Sequence, residues 1–277
     1  ANSMFHLGEV IRMRGDVNGA IDLMRDSIKI LEHVGLGNTA IAIKRRGRLS
    51  EVLFSSGQVK EAEANQRKAL QILELSKDVS SQDIAAGLEL LIFILLRQGK
   101  YEESEGLLER CITILRGNAS HNDLRLASCL WKLGSLALRK GRKLLVSSGD
   151  KSTALDHYQK AERLLMEAAR IGEMKWRESC SGVGNGSLED KKALSSERGL
   201  LLWIQSLVTF GELGVYKLDA VPDSQAALAT HKNAEEALRH AMELLDDTQV
   251  QEVLKPANVK GLRIKCSEYM NKLHDKA

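Results

Sequence analysis

The chain has 277 residues, 43% hydrophobic and 28% charged, and its 40 Lys+Arg against 37 Asp+Glu leave a formal net charge of +3. Only 2 prolines exclude collagen and proline-rich linkers, and 4% aromatic residues is low for a β-sandwich or barrel, whose strands are enriched in such side chains. The near-neutral balance argues against nucleic-acid binding by bulk electrostatics, and with no uninterrupted apolar run of about 18 residues no membrane span is expected.

Ala, Leu, Glu, Lys and Arg dominate, which favours helix. The length allows one or two domains. The first residues, Ala1-Asn2-Ser3-Met4, carry no initiator Met and no secretory or transit pattern. They open inside a helix-forming unit, so the chain reads as a fragment. Cys111, Cys129, Cys180 and Cys266 make no CxxC pair. Neither a disulfide framework nor a zinc site is expected, and an intracellular, reducing compartment is, the cytoplasm being favoured with organelle or nucleus open.

In chain order, Met4, Leu7, Gly8 and Ile11 form one helical stripe, and Val17, Ala20, Met24, Ser27 and Ile28 form a second, with Gly15 between them. The same layout recurs around Gly57 (Leu49, Ser50, Leu53, then Val59, Ala62, Ala69, Leu70) and Gly99 (Leu88, Leu91, Leu95, then Tyr101, Ser104, Leu108, Cys111, Ile112). These spacings of three and four residues mark one apolar face per helix. Gly15, Gly57, Gly99 and Gly141 stand 42 residues apart, in one register. Each is predicted to sit at the tight corner of a helical hairpin. Gly8 and Ala20 let the paired helices approach closely.

This pattern resembles the tetratricopeptide repeat (TPR) family, on Leu7-Gly8, Gly15 and Ala20 in the first unit and Leu133-Gly134 and Gly141 in the fourth. The period of 42 exceeds the family's usual 34. It is similar to the kinesin-light-chain subtype, whose helices are longer. Gln98-Gly99-Lys100-Tyr101-Glu102-Glu103-Ser104-Glu105 resembles that subtype's turn and second helix. The segment Ser120-His121-Asn122-Asp123-Leu124-Arg125-Leu126-Ala127 resembles its inter-unit turn, with Asn122 where a proline is usual. At the final turn Glu32, Glu74 and Arg116 stand in place of the usual proline. The resemblance implies an all-α fold, a right-handed superhelical α-solenoid of antiparallel helix pairs.

The fourth unit departs from the period. Its second-helix pattern, Ala154, Tyr158 and Ala161, comes 8 residues late. An insertion near 142–149 predicts a longer first helix or a longer turn closing at Gly149-Asp150. Residues 1–172 are thus read as four pairs. Residues 173–194, with Ser179-Cys180-Ser181-Gly182-Val183-Gly184-Asn185-Gly186-Ser187, read as a flexible Gly/Ser-containing loop. Residues 195–247 read as a fifth, irregular pair. It carries the long apolar helix of Leu200, Leu201, Trp203, Ile204, Leu207, Val208 and Phe210, a turn at Val221-Pro222-Asp223 and a cap at Ser224. Residues 248–277 read as a terminal capping helix, which covers the apolar face a last repeat leaves open.

Catalytic signatures are missing. GxxxxGK[ST], HExxH and GxSxG do not occur. Gly182-Val183-Gly184-Asn185-Gly186 follows a helix and lacks the Lys-Ser/Thr of a phosphate loop, so it reads as linker. The seven histidines show no ligand spacing. Glu102-Glu103 and Asp246-Asp247 are helix neighbours that do not face each other. No catalytic residue, metal or cofactor is expected, and the chain is read as non-enzymatic.

The resemblance places a partner-binding groove along the first helix of each pair. Its lining residues are Asn2, Phe5, His6, Glu9, Arg12 and Met13; Lys44, Gly47, Arg48, Glu51, Phe54 and Ser55; Ala86, Glu89, Leu90, Phe93, Leu96 and Arg97; and Ser128, Trp131, Lys132, Ser135, Leu138 and Arg139. Six cations (Arg12, Lys44, Arg48, Arg97, Lys132, Arg139) face three anions (Glu9, Glu51, Glu89) among them. Phe5, Phe54, Phe93 and Trp131 add aromatic surface, and aromatic and Arg side chains are the usual anchors of interfaces. A protein segment with acidic residues and apolar or aromatic anchors is the expected partner. Chaperone-binding relatives grip a terminal carboxylate with Lys and Asn at places held here by Phe5, Glu9, Arg48, Ala86 and Leu90. This argues against heat-shock chaperone tails as partners. The alternative is a structural or regulatory subunit that associates through an exposed Trp/Leu-rich helix near 200–210, other C-terminal helices or the convex face.

Overall fold

The structure, a computed structural model, describes residues 1–76, 80–117, 123–181, 189–220 and 225–275. It is all-α. Among the described residues twelve helices follow one another with no strand: α1 (Asn2–Met13), α2 (Val17–His33), α3 (Ala40–Ser55), α4 (Val59–Leu75), α5 (Ser81–Arg97), α6 (Tyr101–Gly117), α7 (Leu124–Ser148), α8 (Lys151–Ser181), α9 (Glu189–Ala220), α10 (Gln225–Asp246), α11 (Thr248–Val253) and α12 (Pro256–His274). They divide into two compact units, Ala1–Asn118 and Ala119–Ala277.

The first unit is three helical hairpins, α1–α2, α3–α4 and α5–α6. Side-chain caps open several helices: Asp16 accepts from the Gly19 N–H, Thr39 from Ala42 and Ser80 from Asp83. Each satisfies a first-turn donor that has no partner inside the helix. Gly15, Gly57 and Gly99 have φ of 98°, 85° and 75°. This left-handed conformation ends the first helix of each pair and lets the chain reverse within a few residues. The close approach expected at Gly8 is present, since a Cβ there would lie 3.2 Å from the Ala20 carbonyl oxygen and 3.2 Å from Met24 Cγ. Ala20, Met24, Leu53, Ala62, Leu88, Leu95 and Leu108 are fully buried. The i, i+3, i+4 stripes therefore make the core.

The second helices α2, α4 and α6 are joined by a repeating pair of ion bridges. Arg25 reaches Glu61 at 2.7 Å and Lys68 reaches Glu32 at 2.8 Å. One period on, Arg67 reaches Glu103 at 2.6 Å and Arg110 reaches Glu74 at 2.6 Å. Glu32 and Glu74, which replace the usual proline, are thus inter-repeat bridges. Their signal is in the sequence as Arg25/Arg67, Glu61/Glu103, Glu32/Glu74 and Lys68/Arg110, each pair 42 residues apart.

The second unit corrects several expectations. Gly141 is not a corner. Helix α7 runs 25 residues, straight through it, and the reversal falls at Gly149, φ 66°. The eight extra residues lengthen the helix. Gly141 is instead a contact point, where a Cβ would lie 2.5 Å from Tyr158 Cε1. Gly134 likewise lets α7 approach α8, with Leu165 Cγ 3.0 Å from the position of a Cβ. The fourth pair, α7–α8, belongs with the later helices and not with the first three pairs. Its Ala137, Tyr158 and Leu165 share one core cluster with Leu200, Ile204, Leu238 and Leu262.

The predicted loop at 173–194 is also corrected. Helix α8 continues to Ser181 and α9 begins at Glu189. Residues 182–188, and the expected turn and cap at Val221-Pro222-Asp223-Ser224, lie outside the described residues. The apolar helix α9 is a core helix and not an exposed one. Leu200, Trp203, Ile204, Val208 and Phe210 are buried. Its segment Glu197–Ala220 is long and apolar enough to span a membrane by composition, although no unbroken apolar run marks it, and 61% of that stretch is buried against protein. Helix α12 opens with Pro256 at its first turn, where a missing N–H costs nothing, and buries Leu262, Cys266 and Leu273 against α9 and α10. A buried ion pair, Lys217 Nζ to Glu162 at 2.5 Å, ties α9 to α8, and Lys217 also donates to Thr230 at 3.0 Å. Cys111, Cys129 and Cys266 are buried thiols.

Candidate functional site

In the first unit the expected lining residues of α1, α3 and α5 fall into three groups. The first is an ion cluster. Arg48 of α3 donates from Nε and Nη2 to the two oxygens of Glu9 on α1, at 2.6 and 3.1 Å, and from Nη1 to Glu51 at 2.6 Å. Arg12 adds a bond to Glu9 at 3.2 Å. These hydrogen bonds hold the Glu9 carboxyl below the usual range, Arg48 contributing most, against the opposing pull of burial. They raise Arg48 above its own. The forked contact that Arg48 was expected to offer a partner carboxylate is therefore made inside the protein.

The second group is aromatic. Phe54 and Phe93 meet edge-on, with centroids 4.8 Å apart, and the Arg97 guanidinium lies 5.6 Å from the Phe93 centroid. Phe93 remains 37% exposed. Phe5 is half-buried beneath the Arg45 guanidinium at 5.1 Å. Arg45 was not singled out from sequence. It is buried, donates to Ser27 Oγ at 2.6 Å and to Asn2, and burial lowers its pKa.

The third group lines a cleft of about 790 Å³ between α3 and α5, with α4 contributing to its walls. Ile43, Lys44, Gly47, Arg48 and Glu51 come from α3; Gln66, Ala69 and Leu73 from α4; Asp83, Ala86, Gly87 and Leu90 from α5. The volume falls within the range of ligand sites, and the lining mixes apolar side chains with four charged ones, Lys44, Arg48, Glu51 and Asp83. Gly47 opens it, since nothing lies within 4 Å of where its Cβ would be. The equivalent place in the first pair holds Phe5. Lys44 is exposed and makes no ion pair among the described residues. Glu89 is half-buried on α5.

Trp131, Lys132 and Arg139 lie on α7, in the second unit. Trp131 packs against that unit's core and its Nε1–H donates to Thr209 Oγ1 at 3.1 Å. Its donor is used, which marks it as a core residue. Lys132 is half-buried and Arg139 exposed.

Sequence reasoning passed over Gln66 altogether. It is 2% exposed, its Nε2 donates to the Gly87 carbonyl at 2.9 Å, and its Oε1 has no hydrogen-bond partner. The signal was a Gln on the apolar stripe of α4, between Ala62 and Ala69.

No family model matches this sequence, and no curated protein does. Among solved structures, a single-residue variant of a Podosopora anserina protein described as a kinesin light chain with nearly identical TPR-like repeats superimposes with a TM-score of 0.53. Identity is 15%, over 87% of this chain and 96% of that one. The apo form of RapI does so with a TM-score of 0.51 at 13% identity, over 99% of this chain and 96% of that one. The fold is that of TPR-like repeat proteins.

Proposed function

We propose that this protein is a non-enzymatic adaptor that holds a segment of another protein on the α1/α3/α5 face of its first unit. The observation that carries this reading is the α3–α5 cleft. It combines apolar walls, room left by Gly47, the unpaired Lys44 at its edge and the Phe54–Phe93 pair on the same two helices. Interfaces draw their energy from such a partly apolar, aromatic-rich centre inside a charged rim. The segment carries acidic residues toward Lys44 and Arg97 and an apolar or aromatic anchor toward the cleft.

The test is selection of peptides from a proteome-derived display library against the whole chain, followed by calorimetry. Lys44→Glu with Arg97→Glu should weaken the selected peptides at least about tenfold, as loss of paired interfacial charge does, while the helical signal is unchanged. Peptides that bind wild type and double variant alike would remove the reading.

A further inference from the structure

The corner between α7 and α8, in the second unit, concentrates positive charge. Arg139, Lys140, Arg142, Lys143 and Lys151 stand there against one acid, Asp150, so the stretch 139–151 carries +4 in a chain whose net charge is +3. Arg139, Arg142, Lys143 and Val146 fall at i, i+3, i+4 and i+7, which puts them on one face of α7. All four are exposed. Val146 is 80% exposed, the most of any large apolar side chain among the described residues. Its neighbours Leu144 and Leu145 pack against the core of the unit and hold that end of the helix in place. Across the Gly149-Asp150 turn Lys151 opens α8.

The corner's charge is largely uncompensated. Lys143 and Lys151 are exposed and make no ion pair among the described residues. Asp150 turns its oxygens to its own helix, accepting from the Thr153 N–H at 3.1 Å and from Thr153 Oγ1 at 2.6 Å. Arg142 lies 5.0 Å from the centroid of the Tyr216 ring, and Asp219 acts on the same tyrosine. The inner end of the stripe is thus partly balanced, and the excess lies at the corner. The matching corner of the second pair, Ser55-Ser56-Gly57-Gln58, carries no charge. The insertion that lengthens α7 is what brings cations and an aliphatic tip together.

We propose that the α7–α8 corner docks this protein on a membrane surface rich in anionic phospholipids, its cations meeting the headgroups and Val146 entering between them. Cations beside an exposed apolar residue are what a peripheral membrane contact uses. A nucleic-acid backbone would engage the cations alone and leave Val146 in water. This goes beyond the groove of the first unit and does not depend on it.

The probes are vesicles of phosphatidylcholine with about one-third phosphatidylserine, and of phosphatidylcholine alone, sedimented with the whole chain in about 0.1 M salt. The anionic vesicles should bind at least about tenfold more tightly, and about 0.5 M salt should release the protein. Lys143→Glu with Lys151→Glu should weaken binding at least about tenfold, since each cation near such a surface is worth roughly a fivefold gain. Both side chains are exposed, and a glutamate in the first turn of α8 suits its dipole, so the helical signal should stay. Val146→Ser, which leaves the charge unchanged, should cost about threefold from lost apolar burial. Equal binding to neutral vesicles, no binding to either, or undiminished binding by the double variant overturns the proposal. Heparin bound as tightly as the anionic vesicles, with Val146→Ser without effect, would make the corner a general polyanion site and overturn it too.

Discussion

The Glu9 carboxylate receives two bonds from the Arg48 guanidinium, at 2.6 and 3.1 Å, and this fork links α1 to α3. The Glu9 side chain is 19% exposed and that of Arg48 40%, so the pair is neither dry nor fully screened. Arg48→Glu would place a third carboxylate beside Glu9 and Glu51. It should cost on the order of 1–2 kcal/mol of stability, more than a surface pair and less than a buried one. Lys44→Glu, with no pair to break, should stay within about 0.5 kcal/mol. Urea unfolding midpoints of the two variants check this. The contrast is also why Lys44, and not Arg48, is the clean charge to reverse in a binding test.

Acid should loosen the first unit through Glu9, Glu32 and Glu63, whose pKa values are all lowered in the fold. The hydrogen bond from Arg48 leads for Glu9, and that from Lys68 for Glu32. For Glu63 burial is the largest influence and opposes the shift, but Lys100, Gln98 and Arg67 together outweigh it. A depressed carboxyl contributes stability that is complete above its unfolded pKa, about 4.3, and is lost as pH falls through the lower folded value. Unfolding free energy should therefore be level near neutrality and fall below about pH 4.5. Glu63→Gln should flatten that fall, because the bonds from Lys100 at 2.7 Å and Arg67 at 2.6 Å no longer meet a charge. Urea titrations at a series of pH values measure it. An unchanged slope in the variant would remove Glu63 from the account.

The hairpins were legible in the sequence because their causes are local. A stripe of small and large apolar residues fixes which face is buried, and Gly15, Gly57 and Gly99 can adopt the left-handed turn that other residues resist. Gly141 misled because the same residue type serves two ends. A glycine in register reads as a corner, yet here it makes room for the Tyr158 ring inside a longer helix. The charged lining was legible by position but not by state. Whether Arg48 faces a partner or Glu9 depends on a residue 39 positions away. Trp131 looked like an anchor until Thr209 claimed its N–H. Gln66 was invisible because an orphaned acceptor is defined by what fails to surround it.

Two glycines inside helices should respond in opposite senses to alanine. At Gly141 the new Cβ would fall 2.5 and 2.8 Å from the Tyr158 ring and 3.0 Å from the Ala154 carbonyl oxygen. Tyr158 is fully buried and the carbonyl is backbone, so neither yields easily. Gly141→Ala should destabilise by about 1–3 kcal/mol, the cost of overpacking. At Gly47 nothing lies within 4 Å. Gly47→Ala should stabilise by about 0.5–1 kcal/mol through helix propensity alone. Thermal midpoints that moved in the same direction would contradict the packing described for α7 and α8.

The Glu74–Arg110 bridge isolates what the ion ladder does. Its partners sit 2.6 Å apart with side chains 35% and 45% exposed, and neither makes a second ion pair among the described residues, so a double-mutant cycle is clean. Such a pair is worth less than about 1 kcal/mol. The ladder's importance is then not its sum but its phase. The same charges recur at the α2–α4 and α4–α6 contacts, and sliding one helix by a turn would bring unlike partners out of reach at both. Arg110→Glu should lose a few tenths of a kcal/mol beyond the loss of the bridge by repulsion from Glu74, and Glu74→Arg in the same chain should recover most of it. The recovery should shrink in 1 M salt, where charges are screened over about 3 Å. A coupling that stayed constant with salt would mean that the two residues interact through packing, and the ladder would not be electrostatic.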